Sequence, residues 1–224
     1  MIAENIESVR QKIVSACKKS GRPPEDVALV CVTKMASVEE IGEALSLGVA
    51  ILGENRVQDA SGKYAVIGDR AEWHLIGHLQ TNKAKDAVKI FSLIHSVDSL
   101  RLAREIDKEA SKIGKAQDIL IQVNTSGEES KFGIKPAEAE SLVKELSLYR
   151  NITIKGLMTI APEVDDPETV RPYFRALREL KDKVNAERTT QNALRTLSMG
   201  MTNDFEIAIE EGSNMVRIGR AIFG

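Results

Sequence analysis

Residues 27–48 have the sequence VALVCVTKMASVEEIGEALSLG, in which an apolar run is followed at once by a helical pattern. The run at residues 27–34 is continuous rather than alternating, which is typical of a strand buried on both faces of a parallel sheet. Ser37 suits the N-cap of the helix, Glu40 its capping-box partner, and Gly48 its end. This stretch therefore predicts one β-strand followed by one α-helix.

The same order of strand and helix recurs along the chain. Further apolar runs that predict strands lie at residues 49–53, 73–77, 91–97, 118–124, 152–160, 194–200 and 214–224. Helical patterns lie between them and at about residues 3–20. The absence of a G-x-G-x-x-G motif after the first strand argues against the alternative, an open doubly wound sheet. We therefore expect an α/β protein in which residues 1–224 form a single (β/α)8 TIM barrel with an additional N-terminal helix.

Composition excludes several classes of protein. Hydrophobic residues make up 42% of the 224 residues and the formal net charge is −2, which excludes wholesale disorder. No basic stripe predicts a nucleic-acid partner. No apolar stretch approaches the roughly 20 residues that span a bilayer. The only two cysteines, Cys17 and Cys31, argue against a disulfide framework or a zinc site. We expect a cytoplasmic protein without a membrane partner.

Lys34 is the first candidate for chemistry, because function in such barrels gathers at the carboxyl ends of the strands. Alternation along the first strand places Lys34 on the same face as Val32, Val30 and Ala28. If that face is the barrel interior, Lys34 stands at the rim of a dry pocket, where desolvation favours the neutral amine that attacks an aldehyde. The alternative is a surface lysine that extends past the strand end.

Residues 196–212, TLSMGMTNDFEIAIEEG, predict an anion site. Ser198 and Thr202 offer hydroxyl groups, Gly200 permits close backbone approach, and the helix that follows offers free N–H groups. The next strand ends in residues 217–220, RIGR. Loops after the seventh and eighth strands are the usual phosphate site of this barrel. The alternative is an ordinary helix cap and a tight turn.

A few further polar residues fall at or near strand ends. Asn55 follows the second strand and either reaches a ligand or starts the next helix. His74 lies within a strand and predicts a satisfied core histidine, while His78 lies near a strand end and could face the pocket. His95 is the third histidine, and no metal-binding spacing links the three.

Eight ordered motifs carry a resemblance to a known family. They are VTK at the end of the first strand, GENRVQD, WHLIGHLQTNK, HSVDS, QVNTSGEESKFG, GLMTI, SMGMTNDFEIAI and RIGRAIFG. From about residue 27 to the C-terminus, the chain resembles the pyridoxal-phosphate homeostasis proteins, relatives of the barrel domain of alanine racemase. The resemblance implies a monomeric (β/α)8 barrel that carries pyridoxal 5′-phosphate (PLP) as a Schiff base.

The resemblance also implies roles for single residues. Lys34 matches the Schiff-base lysine, Arg217 the arginine facing the pyridine nitrogen, and Asn55 a residue lining the ring. The phosphate-binding residues match Ser198, Met199, Gly200, Thr202, Gly219 and Arg220. Thr202 stands where serine is usual, and Arg220 stands where threonine is common, which puts a side-chain phosphate contact at Arg220 in doubt. Met35-Ala36 also departs from the residues that commonly follow the lysine.

These matches favour holding and releasing PLP over vigorous catalysis with it. An arginine beside the pyridine nitrogen disfavours its protonation, so carbanions are poorly stabilised. A racemase of this type needs a second base, supplied as a tyrosine by an added domain, and the predicted barrel takes up the whole sequence. The tyrosines here, Tyr64, Tyr149 and Tyr173, fall in predicted helices. Two alternatives stay open: a weak racemase or lyase with His78 as second base, and a phospho-ligand-binding protein. Apo forms of PLP-dependent enzymes are the expected partners.

Overall fold

The computed structural model, which describes residues 1–187 and 193–224, is built around eight strands. They are β1 (Ala28–Val32), β2 (Ile51–Glu54), β3 (Glu72–Leu75), β4 (Leu93–Val97), β5 (Gln117–Gln122), β6 (Ile152–Met158), β7 (Thr196–Ser198) and β8 (Met215–Ile218). Each strand pairs in parallel with the next, and β8 pairs with β1, so the barrel is closed. This confirms the predicted TIM barrel and excludes the open sheet.

Helices surround the barrel. They are α1 (Ile2–Lys19), α2 (Val38–Ser46), α3 (Val57–Ile67), α4 (Ala84–Ile90), α5 (Leu100–Lys112), α6 (Ala139–Leu146), α7 (Arg171–Ala186), α8 (Phe205–Glu210) and α9 (Arg220–Phe223). The predicted N-terminal helix is α1, which packs against α8 and α9. The prediction of one strand over residues 214–224 was wrong, because the chain turns into α9 directly after Gly219.

The opening stretch folds for the reasons its sequence suggests. The Ser37 hydroxyl accepts the Glu40 N–H at 3.2 Å, and the Glu40 carboxylate accepts the Ser37 N–H at 2.7 Å. This reciprocal pair is the predicted capping box at the start of α2. Gly48 follows the end of α2 with a φ of +81°, a left-handed conformation that glycine adopts without a steric penalty.

The main apolar core lies between the strands and the helices, and a few buried polar side chains lie inside the barrel. A small interior apolar cluster contains Leu93, Leu120 and Met158. His95 and Ser198 are fully buried and lie in the interior. Because the interior of such barrels is usually filled by branched aliphatic side chains, these two buried polar side chains need a specific reason.

A buried carboxylate ties α7 to the segment after α8. Glu211 is 4% exposed and forms ion pairs of 3.0–3.2 Å with Arg171, Arg175 and Arg178. Burial opposes the ionised form, but the three arginines outweigh it and lower the pKa of Glu211. These contacts brace the region between β7 and β8. No helix within the two described ranges is long and apolar enough to cross a membrane.

Candidate functional site

A cavity of about 760 Å³ opens at the carboxyl ends of the strands. Its size is in the usual range for a small-molecule site. Six of the nine predicted site residues line it: Lys34, Asn55, Thr202, Arg217, Gly219 and Arg220. The other three, Ser198, Met199 and Gly200, do not line it. His78 lines the rim, as its position near a strand end suggested.

Lys34 lies in a turn just beyond β1 rather than on the strand itself. Its side chain is exposed and borders the cavity. The dry pocket, which we expected if Lys34 faced the barrel interior, does not surround this side chain. Within the described part of the chain, its amine makes no hydrogen bond and no ion pair. Lys34 therefore presents an unengaged amine to the cavity.

The turn that carries Lys34 is anchored by a buried polar network that the sequence did not predict. Glu54 is fully buried, and its Oε1 atom accepts hydrogen bonds from the Thr33 hydroxyl at 2.6 Å and from Lys63 Nζ at 2.7 Å. Lys63 also donates to the Thr33 carbonyl at 2.5 Å. Since Thr33 precedes Lys34, these bonds fix the backbone from which Lys34 projects. The sequence offered one sign of this network, because the apolar strand β2 ends in the acidic residue Glu54.

Two neighbouring loops place backbone N–H groups along the cavity. Thr202 and Asn203 follow β7, and their N–H groups have no acceptor within the described residues. Arg220 and Ala221 follow β8, and their N–H groups have no acceptor there either. Gly219 lets this second loop approach β1, since a Cβ atom would stand 2.9 Å from the Val32 carbonyl oxygen. Several free donors at one end of a cavity suit a phosphate group.

The Arg220 side chain is engaged by a carboxylate at the cavity. It is exposed and forms an ion pair of 3.4 Å with Glu163, an exposed residue that also lines the cavity. A phosphate contact of the Arg220 side chain stays a prediction. The contribution left to Arg220 at the loop is its backbone N–H.

Ser198, Met199 and Gly200 lie at and just after the end of β7, outside the residues that line the cavity, and the prediction that they bind the phosphate stays a prediction. Ser198 is fully buried, and its hydroxyl is engaged by other side chains. The Met199 N–H and carbonyl bond to Met215 and Ser213. Gly200 has a φ of +96°, and a Cβ atom there would lie 2.6 Å from Cβ of Ala208.

Arg217 forms the cationic floor of the cavity. It is 3% exposed and donates to the Ser198 hydroxyl at 2.6 Å and to the Thr159 carbonyl at 2.9 Å. Burial lowers the pKa of Arg217 to about 10, while nearby Asp204 opposes the shift. Arg217 is still a cation at neutral pH. Burial also raises the pKa of Asp204.

The three histidines divide between the interior and the rim. His74 and His95 are buried and bonded to each other at 3.1 Å, which confirms His74 as a satisfied core residue. His78 stacks on Phe132 with ring centroids 3.9 Å apart and lies 3.6 Å from a carboxylate oxygen of Asp98. Across the described ranges, no cluster of three or more His, Cys, Asp or Glu residues could hold a metal ion.

Together these features define a (β/α)8 barrel protein with a ligand cavity at the carboxyl ends of its strands. Residues 2–224 match the family described as alanine racemase, N-terminal domain. A relative from Aquifex aeolicus named pyridoxal phosphate homeostasis protein is 45% identical over 99% of this chain and 96% of its own length. Another of that name, from Vibrio alginolyticus, is 40% identical over 100% and 97%. The chain therefore belongs to the pyridoxal phosphate homeostasis proteins, within the alanine racemase N-terminal domain family.

A solved structure agrees with this assignment. PipY of Synechococcus elongatus, determined with PLP bound, superposes with a TM-score of 0.87 and is 33% identical over the full length of both chains. The family suggested by the eight motifs is thus confirmed, and so is the fold that it implies.

Proposed function

We propose that this chain binds PLP in the cavity, holds it covalently as a Schiff base on Lys34, and releases it to other proteins as part of PLP homeostasis. One observation carries the proposal: an unengaged lysine amine, free backbone donors on two loops and a buried arginine all border one cavity. PLP carries an aldehyde, a phosphate and a pyridine nitrogen, and each group matches one of these elements.

The residues present fit PLP by their donor chemistry. The loops after β7 and β8 offer the N–H groups of Thr202, Asn203, Arg220 and Ala221 to a phosphate. The close approach that Gly219 permits keeps the second loop against β1. Bound PLP would supply an electrophilic aldehyde, and the chain would supply the amine that captures it reversibly.

The residues that line the cavity favour storage and delivery of PLP over vigorous catalysis with it. Arg217 is cationic and donates hydrogen bonds, so a ring nitrogen beside it stays unprotonated and carbanions gain little stabilisation. Within the described residues, no tyrosine lines the cavity. The Tyr64 hydroxyl bonds to Asp69 on the outer surface instead.

Several wider assignments complete the proposal. Residues 1–224 form one domain, the protein is a monomer, and the recipients of PLP are apo forms of PLP-dependent enzymes. A cytoplasmic location is supported by two buried cysteines, Cys17 and Cys31, that are free thiols. Light scattering tests the monomer, and activation of an apoenzyme by the loaded protein tests delivery.

The direct test is borohydride reduction of the PLP-treated protein, followed by peptide mapping. We expect a visible absorbance band before reduction and a pyridoxyl group on Lys34 afterwards. Lys34→Ala should lose both, whereas Lys85→Ala, which removes an exposed lysine of α4 outside the cavity, should retain both. Absence of any band in the parent protein would overturn the proposal and favour a phospho-ligand-binding protein.

One observation keeps a weak racemase-like activity as the second candidate. His78 lines the cavity and is paired with Asp98, so it is the titratable group best placed to act as a second base. Steady racemisation of alanine by the PLP-loaded protein, abolished in His78→Phe, would establish this activity. We expect no turnover at ordinary enzymatic rates.

A further inference from the structure

A continuous line of buried hydrogen bonds crosses the barrel interior below the cavity. It runs from Arg217 to the Ser198 hydroxyl at 2.6 Å and from that hydroxyl to His95 Nδ1 at 2.9 Å. His95 Nε2 lies 3.1 Å from His74 Nδ1, and His74 Nε2 lies 3.0 Å from a carboxylate oxygen of Glu72. Glu72 is exposed at the start of β3, so the line joins the cavity floor to the opposite end of the barrel.

The two ends of this line fix the hydrogen bonds of Arg217 and Glu72, and one arrangement without any imidazolium satisfies every contact between them. A guanidinium can only donate, so the Ser198 oxygen accepts from Arg217 and its own hydrogen is free for His95 Nδ1. A carboxylate can only accept, so His74 carries its hydrogen on Nε2. In that arrangement His74 accepts at Nδ1 from His95 Nε2–H. Both histidines are then Nε2–H tautomers.

The charges at each position agree with this arrangement. Burial above all, together with the positive charge of Arg217, holds the pKa of His95 well below its ordinary value, so His95 is neutral. The hydrogen bond from His74 lowers the pKa of Glu72, so Glu72 is an anion, and it also accepts a bond from the Ser92 hydroxyl at 3.0 Å. A cation and an anion thus end the line, and His95 between them is neutral.

We propose that Glu72, His74 and His95 are positioning residues that act through Ser198 to hold the Arg217 guanidinium at the cavity floor. Without an acceptor in His95, the Ser198 hydroxyl would turn its hydrogen towards Arg217 or lose a partner, and burial makes either change unfavourable. The inference rests on the proposed function only where it concerns PLP, because the arrangement of hydrogens belongs to the protein alone.

The first test uses the protein without PLP. Nitrogen-15 NMR of the imidazole rings distinguishes the two neutral tautomers from the imidazolium, and the chain has only three histidines. At neutral pH we expect both His74 and His95 as Nε2–H tautomers. We call the line of hydrogen bonds from Arg217 to Glu72 the relay. An Nδ1–H tautomer or an imidazolium at His95 would overturn it.

The second test asks whether the relay reaches the cofactor. In the PLP-loaded protein, His95→Leu should shift the midpoint of the absorbance–pH titration by about one pH unit, because Arg217 loses its fixed position. His95→Asn keeps an acceptor near the Nδ1 position and should restore the midpoint. Gln117→Leu, which removes a buried polar group of β5 outside the relay, should leave it unchanged.

An unchanged midpoint in a folded His95→Leu protein would show that the histidines only fill the core. If His95→Leu does not fold, His95→Asn and the NMR measurement on the parent protein still decide the inference. If PLP does not bind at all, the proposed function fails, while the tautomers still report on the relay.

Discussion

Gly200→Ala should destabilise the protein, and the structure gives the size of the effect. Gly200 has a φ of +96°, and a residue with a Cβ atom costs about 1–2 kcal/mol in a left-handed conformation. The new Cβ would also lie 2.6 Å from Cβ of Ala208 and 2.8 Å from Cα of Phe205. Relief of such overpacking typically costs about 1–3 kcal/mol.

The sum is a loss of about 2–5 kcal/mol in the free energy of unfolding, or a fall of roughly 10 °C in Tm for a domain of this size. Because Ala208 and Phe205 belong to α8, the helix must move, and it carries the Thr202 and Asn203 N–H groups with it. We therefore also expect PLP affinity to fall by roughly tenfold or more, since one lost charge-assisted bond costs more than 1.4 kcal/mol.

Urea denaturation and PLP titration measure the two effects separately. Gly62→Ala is the matched control, because Gly62 lies within α3 and a Cβ there meets nothing within 4 Å. It should stabilise the protein by about 1 kcal/mol, as alanine does in a helix interior. If Gly200→Ala unfolds at the same urea concentration as the parent, the loop is not constrained as described and the reasoning is refuted.

Three other perturbations test the buried charges and thiols. Lys63→Met should lower the free energy of unfolding, measured by urea denaturation, by about 3 kcal/mol, because the buried Glu54 carboxylate loses its ion-pair partner. Adding Glu54→Gln should recover part of this loss. Equal stability of the single and double variants would contradict the prediction. Glu211→Ala should lower the free energy of unfolding by about 2 kcal/mol near pH 7. Because the pKa of Glu211 is lowered on folding, that difference is present above the pKa of an unfolded carboxyl group and should vanish as the pH falls through the folded value; a difference that persists in acid would indicate lost packing instead. Burial raises the pKa of Cys31 to about 12, so iodoacetamide at pH 8 should label Cys31 only after unfolding, as mass spectrometry of native and urea-treated protein would show.

Local patterns in the sequence predicted the elements of the fold because they depend on neighbouring residues. The capping box at Ser37 and the continuous apolar run before Lys34 are both local, and both were confirmed as helix start and buried strand. Strand ends were harder to predict. Residues 220–223 were read as strand because the apolar pattern continues, whereas the chain folds back as α9 with its own short-range hydrogen bonds.

Ordered motifs in the sequence also determined the family, and with it the barrel and the positions of Lys34 and Arg217. Which polar atoms are free was decided only by the tertiary structure. Ser198 and Thr202 look equivalent as loop hydroxyls, yet Ser198 is buried between Arg217 and His95 while Thr202 borders the cavity. The partners of Ser198 come from strands 19 and 103 residues away in the chain. Barrel closure brings such strands together, and no local pattern encodes the contacts that result.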